Sequence, residues 1–161
     1  MTLYPVINAS PLIFLSKGRY LSLLKILGSE IIVPQAVAQE IQFYGQDDIT
    51  YQQLCSQDWL KIRAVDSVPT IIQNWDLGKG ESEVLAWGYL YKGTEIILDD
   101  LAARRCAITL KIPVRGTLGI VLLAKQKCVI PQARPIVEQL RETGMYLSDS
   151  VINQALKLVG E

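Results

Sequence analysis

Apolar and polar positions alternate in short blocks along this chain. An apolar run over 4–8 ends on Asn8, and Ser10-Pro11 then supplies an N-cap and first-turn pair before 12–16, with Gly18 as a stop. That block predicts strand, turn and helix. Leu21, Leu24 and Leu27 continue a second helical stretch to Gly28, and Ile31-Ile32-Val33 forms a short buried strand closed by Pro34. Val37, Ile41 and Tyr44 recur at helical spacing. A polar segment over 45–50 leads to 59–65, whose centre alternates like a strand. A loop over 76–80 precedes a helix over 81–91, and the apolar strand 95–98 runs straight into Asp99-Asp100. A helix over 101–110, a strand at 112–114 and a helix over 118–127 capped by Gly116-Thr117 follow, and two helices close the pattern. The last shows an apolar face at Val151, Ile152, Ala155, Leu156 and Val159.

Short apolar strands separated by helices imply parallel pairing, because a parallel pair needs a long crossover connection. The expected fold is a three-layer α/β/α sandwich with a central, mainly parallel sheet, built as one domain over 1–161. In such sheets, sites form outside the carboxyl ends of the strands. Asn8 and Asp99-Asp100 both occupy strand ends, so two distant segments point at one edge.

Composition narrows the chemistry available there. Sixteen basic residues balance sixteen acidic ones, so no long-range field draws the chain to a polyanion and any such contact is local. The apolar stretches, such as 84–91 and 120–124, are far shorter than the roughly 20 residues that span a bilayer. The first residues lack the basic region and cleavage site of a signal peptide, which sets a cytoplasmic location as the expectation. Cys55, Cys106 and Cys128 are odd in number and widely spaced, and they read as packing residues. The chain has no histidine, which removes Ser-His-Asp and Cys-His catalysis and most zinc sites and leaves carboxylate chemistry.

Five acids are then of interest. Glu81 precedes Val84, Leu85, Gly88 and Tyr89 by three, four, seven and eight residues, in line with one apolar face of its helix. Glu83 points elsewhere, so the two cannot both serve one site directly. An inward carboxylate is costly unless paired or bound to metal, which favours Glu81 over Glu83. Glu40 borders the buried stripe marked by Val37 and Ile41, where a solvated surface glutamate is an equal alternative. Asp99 or Asp100 has the alternative role of helix N-cap, as do Asn8 and Ser10 at the first helix.

The segments Asn8-Ala9-Ser10-Pro11-Leu12, 33–40, Gly80-Glu81-Ser82-Glu83, Leu98-Asp99-Asp100 with Ala103-Arg104-Arg105, and Gly116-Thr117-Leu118-Gly119 occur in an order that resembles the PIN-domain nucleases. The chain looks most like a prokaryotic subgroup catalogued as a domain of unknown function and related to VapC toxins. The resemblance covers nearly the whole chain. It implies a PIN-like fold and a metal-dependent ribonuclease in which carboxylates hold Mg²⁺ or Mn²⁺, hard ions that prefer oxygen ligands. Carried over by position, Asn8 matches the family's first aspartate, Glu40 its helix glutamate, Glu81 or Glu83 its third acid, and Asp99 or Asp100 its fourth. Ser10 matches the hydroxyl residue two positions after the first acid, and Thr117 lies in the last motif; with Lys79, Arg104 and Arg115 they are the expected substrate contacts. Lys17, Arg19 and Arg105 are further basic residues expected near the same edge. Asparagine at position 8 supplies a neutral carbonyl oxygen in place of a carboxylate, which lowers the expected metal affinity.

The resemblance also implies single-stranded or structured RNA as substrate, a small antitoxin protein as partner, and a homodimer. A second reading is a degenerate PIN-fold module that binds RNA or a partner protein, with Trp59, Trp75, Trp87, Tyr20 and Tyr44 as candidate contacts. A nucleotide-binding regulator is the weakest reading, because Asn8-Ala9-Ser10-Pro11 cannot form a glycine-rich phosphate loop.

Overall fold

A computed structural model describes residues 2–161. Five strands, β1 (Val6–Ile7), β2 (Ile31–Pro34), β3 (Leu60–Arg63), β4 (Ile96–Ile97) and β5 (Val114–Arg115), form one sheet in the order β3-β2-β1-β4-β5. Every pairing is parallel. The central β1 is two residues long because Pro5 lacks an N–H and Asn8 opens the next helix, yet both its edges are paired. Ile32 donates to the Pro5 carbonyl, and Val6 and Asn8 donate to the Glu95 and Ile97 carbonyls.

Helices cover both faces, giving the three-layer α/β/α sandwich that the pattern predicts. Along the chain they are α1 (Ala9–Gly18), α2 (Gln35–Gln42), α3 (Ile49–Ser56), α4 (Thr70–Gln73), α5 (Lys79–Leu90), α6 (Leu101–Thr109), α7 (Thr117–Gln126), α8 (Arg134–Glu142) and α9 (Asp149–Lys157). A 3-10 turn, Leu21–Ile26, follows α1. The helix α5 packs on α2, α6 and β1, while α1 packs on α3, α7 and α8. Val6, Ile7, Ile31, Val33, Ile96, Ile97 and Leu98 are fully buried between these layers.

Several boundaries differ from the pattern. The first helix begins at Ala9, so Asn8 holds the N-cap position and Ser10-Pro11 falls inside the first turn, where a missing proline N–H costs no helical bond. The helix α2 ends at Gln42, and Gly45 turns the chain with a positive φ of 92°. Tyr44, at helical spacing from Ile41, therefore lies beyond the helix and is exposed. The polar stretch before Trp59 contains α3, capped by Asp48 through the Tyr51 amide at 3.1 Å; its core contribution is Thr50 and Leu54, too small a stripe to stand out. The short α4 likewise had no clear period. In the last strand Pro113 offers a carbonyl to Ile96 but no N–H, so the strand is Val114–Arg115 rather than 112–114. On α9, Ile152, Ala155 and Leu156 are buried while Val151 is exposed.

Where α5 crosses β4 the packing has no spare volume. A Cβ at Gly88 would lie 2.7 Å from Ile96 Cγ2 and 2.8 Å from Ile112 Cγ2, on side chains held in the core. Gly88→Ala is expected to destabilise the protein by about 1–3 kcal/mol through overpacking. Urea unfolding should show a lower midpoint with an unchanged slope.

Candidate active site

The strand order reverses direction between β1 and β4, and the carboxyl ends of these strands therefore open a crevice at the switch point. Asn8 stands at that point. Its backbone N–H continues the ladder to Ile97, while its side chain is 2% exposed and Oδ1 has no hydrogen-bond partner among the described residues. Nor does the side chain cap α1. A buried carbonyl oxygen left without a donor costs roughly 1–3 kcal/mol, so this atom is poised for something outside the chain.

Gly80 connects Asn8 to Glu40. A Cβ at position 80 would sit 3.3 Å from Asn8 Oδ1, 3.4 Å from Val37 Cγ2 and 3.5 Å from Glu40 Oε2. The first turn of α5 thus passes close enough to bring these oxygens to one place, and glycine is the residue that leaves the space open. A neighbouring glycine does the same for Glu81, since a Cβ at Gly78 would meet Glu81 Oε2 at 2.5 Å. The glutamate lies in the first turn of α5, where the helix dipole favours negative charge. Glu40 as a residue is exposed, yet its carboxyl is pushed above the usual carboxylate range, first by partial desolvation and then by the adjacent Glu81 charge. Both line a groove of ≈ 540 Å³ with Lys79, Phe43 and Tyr44.

Glu83 has a different occupation. It is 7% exposed, and its Oε1 accepts the Ala36 N–H at 3.0 Å, in the first turn of α2. The carboxylate turned inward is therefore Glu83, not Glu81 as the helix periodicity suggested, and its partner is a helix N-terminus. The apolar face used for that inference included Tyr89, which is exposed.

On the other side of Asn8, at the end of β4, Asp99 is held by the start of α7. Its Oδ1 accepts the Thr117 N–H at 2.8 Å and its Oδ2 accepts the Thr117 hydroxyl at 2.6 Å. Gly116 permits this approach, because a Cβ there would lie 3.1 Å from Asp99 Oδ1 and 2.6 Å from Arg104 Nη1. Asp100 is exposed and caps α6 through the Ala103 N–H at 2.9 Å, so the helix-cap role belongs to Asp100. Asp99 and Arg104 line a second groove of ≈ 580 Å³.

The basic residues are distributed less simply. Arg104 Nη1 donates to the Leu98 carbonyl, and Arg115 is tied to Glu95 by two bonds of 3.1 Å. Lys79 is exposed at the mouth of the Glu40 groove, and Ser10 is half-buried in the first turn of α1. Lys17 and Arg19 are not at this edge. They end α1, whose ten residues carry them roughly 15 Å from its start. Trp59 is buried and Tyr20, Trp75 and Trp87 are half-buried against the core, so of the aromatic set expected as contacts only Tyr44 is exposed; Phe43 beside it is 90% exposed.

The structure therefore brings Asn8, Glu40, Gly80 and Glu81 together and sets Asp99 with Thr117 on the far side of Asn8. Among the described residues no three acidic or cysteine side chains converge closely enough to hold a metal ion. The donor set that does converge is an amide oxygen and carboxylate oxygens, which suits a hard divalent cation. Gly80 was legible as the end of a loop and the start of a motif; a glycine in a helical first turn, disfavoured by about 1 kcal/mol, is in addition a signal that space is required there.

Because ionising Glu40 is harder in the folded than in the unfolded chain, its contribution to stability is present below the ordinary carboxylate pKa and lost as pH rises through the raised one. Glu40→Gln is expected to raise the urea midpoint at pH 7 relative to the parent, with the difference vanishing on acidification below the carboxylate range. Glu81→Gln should move the Glu40 titration downwards, as read by carbon-detected NMR of the side-chain carboxyls.

Compared with known proteins, residues 4–161 match a family model described as a PIN domain. No curated protein gives a match. The matched span takes in all five strands and every acid described above. With a parallel sheet, helices on both faces and an acid-bearing crevice at its carboxyl edge, the chain belongs to the PIN-domain family, a nuclease-type fold.

Proposed function

We propose that this protein is a metal-dependent ribonuclease that hydrolyses phosphodiester bonds of single-stranded or structured RNA, acting as the toxin of a prokaryotic toxin-antitoxin pair. The observation that carries the reading is the meeting of the unpartnered Asn8 Oδ1 with Glu40 Oε2 in front of Gly80, beside Glu81 and at the switch point of a PIN-domain sheet. Asn8, Glu40 and Glu81 would hold Mg²⁺ or Mn²⁺, with Asp99 on the other side of Asn8 at the end of β4; Glu83 and Asp100 support α2 and α6. A divalent ion bound there supplies charge neutralisation at the phosphate and a more acidic water.

The residues have separable parts in this reaction. Hydrolysis forms a phosphorus–oxygen bond from the attacking water and breaks the bond to the leaving ribose oxygen, which takes up a proton; Glu40 and Glu81, side by side in one groove, would hold the cation and accept the proton that the water loses. Thr117 orients Asp99 through two hydrogen bonds. Lys79, Arg104 and Ser10 would contact backbone phosphates, and Arg115 would join them if released from Glu95. A cytoplasmic location fits the reading, as among the described residues no helix is long and apolar enough to cross a membrane. The exposed Phe43 and Tyr44 are suited to contact an antitoxin or a second copy of the chain.

A second reading is a catalytically degenerate module that binds RNA or a partner protein. It is favoured by Asn8, which lowers the charge of the donor set, and by the engagement of Asp99 with Thr117. Cleavage of a labelled single-stranded RNA pool with Mn²⁺, Mg²⁺ or chelator separates the two. Metal-dependent cleavage that falls at least about 100-fold in Glu40→Gln and Asp99→Asn is the expected result; no cleavage with either metal would leave the binding module. Restoring charge through Asn8→Asp should tighten Mn²⁺ binding by about tenfold in calorimetry.

A further inference from the structure

A second polar groove, of ≈ 430 Å³, lies at the opposite edge of the sheet. Its wall combines the end of α1 (Ser16, Arg19), the 3-10 turn (Lys25), α3 (Gln53) and the segment entering β3 (Gln57, Trp59). The ten residues of α1 separate it by roughly 15 Å from the Asn8 end of that helix.

The amides of this groove are joined in one direction. Trp59 Nε1 donates to Gln57 Oε1 at 3.0 Å, and Gln57 Nε2 donates to Gln53 Oε1 at 2.9 Å. The relay runs one way and occupies both amide oxygens, so the Gln53 amide nitrogen is left as a donor with no partner among the described residues. Ser16 is 3% exposed, and its hydroxyl has no partner among the described residues. No acidic residue lines the wall. Neither Arg19 nor Lys25 has a carboxylate within salt-bridge distance among the described residues, whereas Lys61 and Lys125 pair with Glu30 and Glu161. Lys25 Nζ instead lies 5.3 Å from the centre of the Trp59 ring.

Arg19 also occupies backbone that does not call for it. It closes α1 at φ 66°, the left-handed region where glycine is the usual cap, so the helix end has no conformational need for a cation. The Ser16 and Leu15 carbonyls nearby already accept the Arg19 and Tyr20 N–H groups, which removes them as competing acceptors.

We propose that this groove binds a phosphate group, carried by a free nucleotide or by the backbone of RNA, through Arg19, Lys25, Gln53 and Ser16. A phosphate at neutral pH is an acceptor with negative charge, the complement of two unpaired cations, a free amide N–H₂ and an orphaned hydroxyl. A neutral or cationic ligand leaves the same donors unmatched.

NMR titration of the full chain in chelator, following the Trp59 indole N–H and the Gln53 side-chain amide, tests this with three probes: inorganic pyrophosphate, adenosine monophosphate and a short single-stranded RNA. The comparison is the Arg19→Gly, Lys25→Met double variant, in which glycine suits the φ at 19 and methionine keeps an apolar stem over Trp59; its fold is checked by urea unfolding. Saturable shifts that weaken at least tenfold in the double variant, and are unchanged in Glu40→Gln, are expected. A response to RNA alone assigns the phosphate to RNA backbone, and a response to the mononucleotide assigns it to a free nucleotide. No saturable shift with any probe, or equal affinity in the double variant, would overturn the proposal.

Discussion

Val6 and Ile7 are fully buried, so the peptide groups of the central strand have no water to bond and must be matched on both sides by other strands. The matching is complete: β2 pairs with one edge, β4 with the other, and the ladder runs on through the Asn8 N–H to the Ile97 carbonyl. This requirement fixes the carboxyl end of β1 in the middle of the sheet, between the strand that leads to Glu40 and the strand that leads to Asp99. A residue at that position is carried by a backbone with no freedom to move. It is the reason an asparagine side chain can be held 2% exposed with its oxygen unbonded.

Around this fixed point the carboxylates are dealt with in different ways, each by ordinary electrostatics. Glu83 sits against the N-terminus of α2, where a backbone N–H and the helix dipole stabilise its charge. Asp99 is satisfied by a backbone N–H and a hydroxyl of one residue, and Asp100 by its own helix. Glu40 and Glu81 lie side by side in one groove, and partial desolvation, then the Glu81 charge, pushes the Glu40 carboxyl above the usual carboxylate range. Glycines at 78, 80 and 116 make these approaches possible, because any Cβ at those positions would enter the space beside a carboxylate. The site is thus a matter of close backbone approach as much as of acidic residues.

A chain with no net charge also has to place its cations with care. Some are held by acids or carbonyls, as Arg115 is by Glu95 and Arg104 by Leu98. The field at the crevice is therefore set by a few local groups, and contact with a polyanion is confined to where cations remain unengaged. Lys79 at one end of the molecule, and Arg19 with Lys25 at the other, meet that description.

The sequence by itself determined the layering, because runs such as Ile31-Ile32-Val33 and Ile96-Ile97-Leu98 between helices have few alternatives to buried parallel strands. It also determined which strand ends carry polar residues and, through motif order, the family. What it left open are relations between segments far apart in the chain. That Glu83 turns inward depends on the Ala36 N–H, forty-seven residues away, and the partner of Asp99 is Thr117, eighteen residues away. The helix α3 gives no clear signal in the pattern because its buried stripe is small, and Tyr44, at helical spacing from Ile41, falls beyond α2 because the chain turns at a left-handed glycine. Period along a chain reports which side of one helix is apolar; which neighbour a polar group meets there is decided only when the layers pack.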